Sequence, residues 1–542
     1  MLGQMMKMPL LVSSLLKHAE LNHGEREVVS RRVEGDIHRY TYVDMARRAR
    51  QLANALKDFG VKPSERVSTL AWNGYRHMEL YYAVSGSGSV LHTINPRLHP
   101  DQVVYIANHA EDQVLFFELS FLPLVQAVAS KLATVKAFVL LCDKAHMPEN
   151  TGIENLLCYE EVIAKQSDHY EWPEFDELSA ATLCYTSGTT GNPKGVLYSH
   201  RSTLLHTFGV ALPDSLNCSA NDAILPVVPM FHVNAWGLPY AACMTGAKLV
   251  FPGPGLDGKS VYELIEAEGV TMAAGVPTVW QGLLSHMESA GVKFSSLTRT
   301  VIGGSACPPA MLQAFEEKYH VHVIHAWGMT ELSPVGTVCT LKPKHKDATM
   351  QERLEIQSKQ GRLLYGIEMK IVDHDGHELP HDGNAAGDLL VKGHWVVSRY
   401  FKEEGDGPLQ DGWFPTGDVA KIDPDGYMQI TDRSKDVIKS GGEWIGSIDL
   451  ENIAMAHPSV AMAACIAAFH PKWDERPLLV VMCKPSHTVS KEELLAFYDG
   501  KIAKWWTPDD VVFVESIPLG ATGKMLKHRL REQFKEHRLP TA

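Results

Sequence analysis

Helix-like and strand-like patterns of apolar residues alternate through the first four hundred residues. Residues 42–59 repeat apolar side chains with the period of an amphipathic helix, and residues 66–70 form a short apolar run typical of a strand. Residues 104–110 and 114–117 repeat this succession of helix and strand. Buried strands between covering helices predict an α/β fold, with parallel-rich sheets in a large N-terminal part made of several subdomains.

A different pattern begins near residue 413. Residues 413–431 predict a hairpin around the turn Pro424-Asp425-Gly426, and the polar run 432–436 then indicates a domain boundary. Beyond this run the pattern predicts a small α+β domain. Its helices are expected at 447–456, 491–504 and 527–536, and its strands at 461–469, 478–484 and 510–515.

The composition indicates a large globular protein with an acidic charge balance. With 542 residues, 45% of them hydrophobic, the chain can bury a large core. Lys and Arg number 51 against 64 Asp and Glu, and this net charge of −13 disfavours binding to nucleic acid or to anionic membranes as the main activity. An anionic substrate must therefore be captured by a local cluster of positive groups.

Cysteine spacing and the N-terminal segment bear on the cellular compartment. The nine cysteines are scattered without any C-x-x-C pair, which indicates neither a disulfide framework nor a zinc site and fits a reducing cytoplasm. Polar residues such as Lys7 and Lys17 interrupt residues 1–20, and no apolar stretch reaches the about 18 residues of a membrane span. We expect a cytoplasmic protein without stable membrane insertion, whose first helix packs on the body.

The segment 185–195 has the composition of a phosphate-binding loop. It contains four Ser or Thr hydroxyls, three glycines and Lys194. Glycines let backbone N–H groups approach an anion, while hydroxyls and an ammonium group add donors and charge, so a nucleotide triphosphate is the expected ligand. The order differs from a Walker A loop because Gly195 follows Lys194. On these residues alone, an ordinary surface loop remains the alternative.

Seven further motifs follow in an order that resembles a known family. They are Pro229-Met230-Phe231-His232, Gly303-Gly304-Ser305, Trp327-Gly328-Met329-Thr330-Glu331, Thr416-Gly417-Asp418, Asp432-Arg433-Ser434-Lys435-Asp436, Gly441-Gly442-Glu443-Trp444-Ile445 and Gly520-Ala521-Thr522-Gly523-Lys524. Together with the loop they resemble the adenylate-forming superfamily of acyl-CoA synthetases, luciferases and peptide-synthetase adenylation domains. The chain is most similar to the short-to-medium-chain acyl-CoA synthetase branch. This resemblance implies an N-terminal domain at 1–432, a hinge at 433–436 and a mobile C-terminal lid at 437–542.

The resemblance also implies the chemistry, which is activation of a carboxylic acid by ATP and Mg²⁺ followed by transfer to CoA. Lys524, Thr330, Glu331 and His232 are the expected catalytic residues, with Glu331 as the metal ligand. The nucleotide and CoA are expected to contact Thr186, Ser187, Gly188, Thr189, Thr190, Gly191, Lys194, Gly303, Gly304, Ser305, His325, Ala326, Trp327, Gly328, Met329, Thr330, Asp418, Arg433, Lys435, Gly441, Gly442, Trp444 and Lys524.

Elementary chemistry supports the central members of this set. A carboxylate such as Asp418 can accept from the two hydroxyls of a ribose, and the flat face of Trp327 suits stacking on adenine. Glu331 offers a hard oxygen to Mg²⁺, and Lys524 can meet charge that develops in the transition state. Taken singly, each residue also has an ordinary interpretation, such as a helix cap, a core aromatic residue, a structural ion pair or an exposed lysine.

The acid is expected to contact His232, Trp236, Gly328 and Pro334. An indole at Trp236 would close the far end of the pocket, so the acid is expected to be small and mostly apolar, with 3-methylmercaptopropionate first and short-to-medium fatty acids second. Two alternatives remain open for the reaction: adenylation for a separate carrier protein or a luciferase-like oxidation. A non-catalytic nucleotide-binding protein is the rival of a different class. Homodimerisation is expected from the resemblance alone.

Overall fold

Two large sheets form the body of the protein. The computed structural model describes residues 1–186, 192–441, 443–520 and 524–542. Within these ranges one sheet has the strand order Arg362–Leu363, Val335–Val338, His322–Gly328, Arg299–Ile302, Met272–Gly275, Ala223–Pro226, Lys248–Phe251, Glu27–Arg31 and Ile37–Thr41. The other has the order Leu156–Cys158, Ala137–Leu140, Asp112–Phe117, Arg66–Leu70, Val90–Thr93, Ala180–Tyr185 and Gly195–Ser199.

Parallel pairing dominates the interior of both sheets, as the sequence pattern predicts. Antiparallel pairs lie towards the edges, for example between Ala180–Tyr185 and Gly195–Ser199. The covering helices are Val12–His23, Tyr42–Asp58, Tyr75–Gly86, Pro100–Ala110, Leu122–Val128, Tyr159–Ala164, His200–Ala211, Leu238–Thr245, Gly258–Glu268, Pro277–Ala290, Pro309–Gln313 and Met350–Gln357. One continuous apolar cluster joins both sheets through the helices between them. The α/β prediction is confirmed.

Local sequence explains how the helices begin and pack. The Thr41 side chain accepts from the Asp44 amide and Asp44 reaches back to the Thr41 amide, which caps the helix Tyr42–Asp58. The first helix, Val12–His23, buries one apolar face in the core, so the expected packing of this segment on the body is confirmed. No described helix combines the length and the apolar character needed to cross a membrane.

A four-stranded antiparallel sheet connects the body to the C-terminal part. Its order is Ile367–Val372, Ala386–Gly393, Phe414–Ile422 and Met428–Arg433. The last two strands form the predicted hairpin. Gly426 adopts φ +83° in the turn, a conformation that glycine accepts without steric cost, and its amide donates to Asp423 O at 2.9 Å.

The C-terminal part is a five-stranded sheet with helices, as expected for a small α+β unit. The strands are Glu443–Ile445, Ile438–Ser440, Asp474–Cys483, Val460–His470 and Asp510–Phe513, and the helices are Ser447–Met455, Lys491–Ala496 and Lys527–Gln533. The prediction of a helix over 491–504 is wrong in length. The helix ends soon after Ala496 because Gly500 turns the chain with φ +73°. The domain boundaries stay a prediction.

Removing side-chain volume from the larger sheet should destabilise the body. Leu249 is fully buried in the strand Lys248–Phe251, so Leu249→Ala should lower the free energy of unfolding by about 2–5 kcal/mol. Leu197 lies on a strand but is 37% exposed, and Leu197→Ala should cost less than about 1 kcal/mol. Urea unfolding of both variants checks this. Equal losses at the two positions would contradict the assigned burial.

Candidate active site

The carboxyl ends of two neighbouring parallel strands form one wall of the site. The strand Arg299–Ile302 leads into Gly303, and the strand His322–Gly328 ends within the motif that runs from Trp327 to Glu331. A Cβ at Gly303 would lie 2.8 Å from Ala326 O and 3.1 Å from the Trp236 indole, so only glycine fits this close approach. Ligands in open α/β sheets bind at the carboxyl ends of strands, and this wall has that location.

Asp418 lies at the centre of a polar cluster. Its Oδ2 accepts from Trp327 Nε1 at 2.9 Å, and its Oδ1 pairs with Arg433 Nε at 2.8 Å. Asp418 and Arg433 are cross-strand partners in the hairpin, which explains their contact. The Asp418 amide also donates to Thr416 Oγ1 at 3.1 Å, so the residue is held at backbone and side chain. Trp327 itself is buried among apolar residues with only its N–H directed at the carboxylate.

Two tyrosines hold the predicted Thr330-Glu331 pair. Tyr198 donates to Thr330 O at 2.6 Å, and Tyr400 donates to Glu331 Oε1 at 2.9 Å. Glu331 is largely buried, and its Oε2 takes no hydrogen bond from the residues that the structure describes. Sequence reasoning missed both tyrosines because each belongs to a segment distant from Glu331 in the chain and has no spacing that would indicate the contact.

The described part of the phosphate loop is fixed at its two ends. The Thr186 amide donates to Lys194 O at 2.9 Å, and the Lys194 amide donates to Thr186 Oγ1 at 3.2 Å. Lys194 Nζ lies 3.3 Å from Glu403 and 4.4 Å from the centre of the Tyr400 ring. Tyr400 therefore contacts both the loop lysine and Glu331. The predicted loop residues Ser187, Gly188, Thr189, Thr190 and Gly191 lie outside the described residues.

Lys524 of the C-terminal part lies beside these groups. Burial and then the Arg433 charge lower the pKa of Lys524, Asp418 and Glu331 raise it, and the net pKa is about 8. Burial and then the Lys524 charge lower the pKa of His232 to about 4. His232 is therefore neutral near pH 7, and the Lys524 ammonium lies within electrostatic reach of two carboxylates and a guanidinium.

Trp236 occupies an unusual left-handed turn, Val233–Gly237. Four successive non-glycine residues in this turn have positive φ, including Trp236 at +57°. Such backbone is strained for L-residues and persists only where surrounding contacts hold it. A Cβ at Gly237 would lie 2.8 Å from the His206 ring, and His206 Nε2 accepts from the Val335 amide at 3.1 Å. The indole of Trp236 is itself buried, and its tip lies against Gly303.

The predicted acid-pocket residues Gly328 and Pro334 lie in contact with each other. The Met329 amide donates to Pro334 O at 3.0 Å, and a Cβ at Gly328 would lie 2.1 Å from the same oxygen. This contact leaves room for hydrogen alone at Gly328. The segment therefore turns tightly between Trp327 and the Thr330-Glu331 pair. This turn directly follows the strand His322–Gly328, which forms part of the wall that contains Gly303.

The remaining predicted residues differ in their burial and in their surroundings. The His325 side chain is fully buried and accepts from the Cys307 amide at 3.2 Å. Gly441 is exposed beside Trp473, and Trp444 is 43% exposed. Gly442 lies outside the described residues. Burial lowers the pKa of Lys435, which follows the four-stranded sheet. Gly441 and Trp444 are thus exposed in the described arrangement, whereas Asp418, Trp327 and Glu331 are buried.

The fold and this site define an adenylate-forming enzyme. A carboxylate suited to a ribose, a largely buried Glu331, a loop lysine and a second lysine converge at the carboxyl ends of parallel strands. The chain belongs to the AMP-binding enzyme family, which matches residues 16–401, and the AMP-binding enzyme C-terminal domain matches residues 449–524. It is an AMP-forming acid–CoA ligase that uses ATP and CoA.

Similar proteins cover the whole chain. A 3-methylmercaptopropionyl-CoA ligase of Ruegeria lacuscaerulensis is 55% identical, with 99% of each chain covered. A medium-chain-fatty-acid–CoA ligase of Ectopseudomonas oleovorans is 54% identical, with 98% of each chain covered. The crystal structure of the anthranilate CoA ligase AuaEII in complex with anthranoyl-AMP has a TM-score of 0.86 at 24% identity, with 98% of each chain covered. This last likeness bears on the fold, and confirms the predicted combination of a large α/β part and a small C-terminal unit.

The surroundings of Lys524 predict unusual reactivity towards amine-labelling reagents. With a pKa of about 8, half of Lys524 is neutral amine at pH 8, whereas an ordinary lysine with a pKa near 10.4 is roughly 0.4% neutral there. Competitive acylation followed by mass spectrometry should give a midpoint for Lys524 near pH 8. Arg433→Met removes a neighbouring positive charge, so it should move the midpoint to higher pH. A wild-type midpoint above pH 10 would contradict the described position of Lys524.

Proposed function

We propose that the described arrangement performs the first of two steps, the formation of an acyl adenylate. The carboxylate of the acid attacks the α-phosphorus of ATP and pyrophosphate leaves, and the thiol of CoA then displaces AMP from the acyl carbon. The observation that carries this proposal is that Lys524, from the C-terminal part, lies within electrostatic reach of Glu331 in the body and of Asp418 and Arg433 in the four-stranded sheet. Such an approach supplies positive charge where the pentavalent phosphorus develops negative charge.

Each residue of the cluster has a role in this step. Asp418 accepts from the ribose hydroxyls while Trp327 and Arg433 hold its carboxylate in place. Lys194 binds the β- and γ-phosphates, and Thr330 binds an oxygen of the α-phosphate. His232 is neutral and lies near Lys524, so it can line the acyl carboxylate site without adding a competing positive charge. Gly303, Gly304, Ser305 and Ala326 provide the backbone surface on which adenine lies.

The residues present also fit a magnesium ion. Glu331 is largely buried, Tyr400 fixes one of its oxygens, and the other takes no hydrogen bond from a described residue. A hard carboxylate oxygen held in this way suits Mg²⁺, which usually binds through one or two carboxylates together with substrate phosphates. When bound, the ion neutralises charge on the leaving pyrophosphate. Tyr400 holds Glu331, and Tyr400 and Glu403 hold Lys194.

For the second step we propose that the C-terminal part rotates about residues 433–436. Gly441 and Trp444 are exposed in the described arrangement, whereas Asp418, Trp327 and Glu331 are buried. Rotation about Lys435 would turn them, with Gly442, towards the acyl adenylate to form the passage for the pantetheine arm. The activated acyl group needs no strong general base, because a thiol with a pKa near 8.5 is a good nucleophile even when only a few per cent is ionised.

We propose 3-methylmercaptopropionate as the acid, with short-to-medium fatty acids as the second candidate. The names of the relatives at 55% and 54% identity support both candidates. The buried Trp236 indole beside Gly303 supports a short pocket, and a nearly apolar thioether chain suits such a lining. The nine free thiols, eight of them buried, support function in a reducing cytoplasm. Homodimerisation stays a prediction.

Removing the Lys524 ammonium should separate the two half-reactions. Lys524→Ala should lower acid-dependent ATP–pyrophosphate exchange on the order of 10²–10³-fold, because one strong transition-state contact is lost. Thioester formation from a supplied acyl adenylate should change little. Lys472→Ala, at an exposed lysine of the C-terminal part, is the matched control. An equal loss of rate in both half-reactions of Lys524→Ala would contradict the assignment of Lys524 to acyl-adenylate formation. Product analysis with and without CoA separates thioester formation from carrier-protein loading and oxidation.

Shortening Trp236 should change the preferred acid. Trp236→Ala opens space next to Gly303, so the optimum of kcat/KM among unbranched C2–C12 acids should move to longer chains. Each methylene is expected to change the preference by about 10–200-fold. The wild-type protein should favour 3-methylmercaptopropionate and acids of similar length. A wild-type preference for C10 or C12, or an unchanged optimum in Trp236→Ala, would contradict the short-pocket assignment.

A further inference from the structure

A second group of buried charges lies where the body meets the C-terminal part. Asp432 is in the last strand of the four-stranded sheet, paired with Val419, and is almost completely buried. Its Oδ1 accepts from the Arg433 amide at 2.7 Å, and its Oδ2 accepts from the Ser447 amide at 2.6 Å. Ser447 is the first residue of the helix Ser447–Met455 of the C-terminal part. The carboxylate therefore joins the two parts directly.

Lys527 supplies the opposite charge from the C-terminal part. Its Nζ lies 2.7 Å from Glu451 Oε1 and donates to Ser447 Oγ. Burial opposes the charged form, but Glu451 and Asp432 outweigh burial and raise the pKa of Lys527. The Glu451 carboxylate is also bound by the Cys465 amide at 2.8 Å. An ammonium thus lies within reach of two buried carboxylates, one from each part of the protein.

Both Lys527 and Asp432 are close in sequence to charged residues of the candidate active site. Lys527 begins the helix Lys527–Gln533 and follows Lys524 by three residues. The Leu526 amide, between them, donates to Pro518 O at 2.8 Å, which ties the segment to the preceding chain. Asp432 is adjacent to Arg433, whose guanidinium pairs with Asp418. Displacing Asp432 or Lys527 would therefore shift the cationic groups of the site.

We propose that Asp432 and Lys527 are positioning residues for acyl-adenylate formation, holding the C-terminal part against the body so that Lys524 enters the site. This inference rests on the proposed two-step function. Neither side chain belongs to the residues proposed to bind the acid or ATP. Their action runs through the Ser447 amide and through the start of the helix that follows Lys524.

The distribution of charges lets this contact open without leaving an isolated buried cation. Lys527 and Glu451 both belong to the C-terminal part and stay paired when that part moves. Asp432 belongs to the four-stranded sheet, which packs against the body, and would become exposed to water, where a carboxylate is well solvated. A buried charge that loses its only partner is strongly destabilising, so this arrangement suits a contact that must break once in each turnover.

Half-reaction measurements on the full-length protein test the proposal. Asp432→Ala and Lys527→Met should each lower acid-dependent ATP–pyrophosphate exchange, with displacement of a catalytic group by about 1 Å expected to cost up to about 10²-fold. The effect should fall on kcat more than on KM for the acid. Thioester formation from a supplied acyl adenylate should stay within a factor of about two, since a residue that only maintained the fold would affect both steps.

Conservative and matched variants separate positioning from folding. Lys527→Arg keeps a cation beside Glu451 and should restore most of the exchange activity lost in Lys527→Met. Asp432→Asn keeps the size of the side chain and one acceptor oxygen. It replaces Asp432→Ala in these measurements if the alanine variant does not fold. Asp510→Ala is the control, because Asp510 is a buried carboxylate paired with Lys491 at 2.8 Å and His537 at 2.9 Å within the C-terminal part. It should leave the ratio of the two half-reactions unchanged.

A double-mutant cycle gives the decisive result. If Asp432 acts through Lys524, adding Asp432→Ala to Lys524→Ala should cause no further loss of pyrophosphate exchange. Losses that multiply, or an Asp432→Ala variant that lowers both half-reactions to the same extent, would overturn the proposal. Failure of Lys524→Ala itself to separate the half-reactions would instead contradict the proposed function, so the two failures are distinguishable.

Discussion

The carboxylate of Asp418 is the contact on which the site depends. Trp327 and Arg433 bind its two oxygens, and these partners come from the large sheet and from the neighbouring strand of the hairpin. Its negative charge, with that of Glu331, favours the charged form of Lys524, while burial and Arg433 oppose it. The residue proposed to bind the ribose thus also favours the charged form of the lysine that the C-terminal part supplies. In the proposed function, recognition of the nucleotide and closure of the site are coupled through this one side chain.

Close backbone approaches fix the shape around that contact. Gly303 and Gly328 each lie against a carbonyl oxygen where a methyl group could not fit. The left-handed turn Val233–Gly237 stores backbone strain and keeps the Trp236 indole at Gly303. In the proposed function, the adenine surface and the end of the acid pocket therefore share one wall. A change of acid preference in this protein should involve Trp236 before it involves the nucleotide-binding residues.

Much of this organisation could be predicted from the sequence, since it depends on local patterns. The helix Tyr42–Asp58 and the hairpin around Gly426 follow from periodicity and turn chemistry, and short motifs indicate the nucleotide site. Contacts between distant segments could not be predicted in the same way. Tyr400 donates to Glu331 across 69 positions of sequence, and no spacing rule indicates such a pair. The overextended helix prediction at 491–504 has a local cause, because Gly500 interrupts an otherwise helical pattern.

The central claim is that the described arrangement of the two parts is the one that forms the acyl adenylate. A crystal structure of the protein with its acid and a non-hydrolysable ATP analogue tests this directly. We expect the ribose hydroxyls to bind Asp418 and Lys524 Nζ to lie within hydrogen-bond distance of the α-phosphate or the acid carboxylate. The analogue and the acid bound in this cleft with Lys524 facing solvent, or a ribose placed away from Asp418, would contradict the claim.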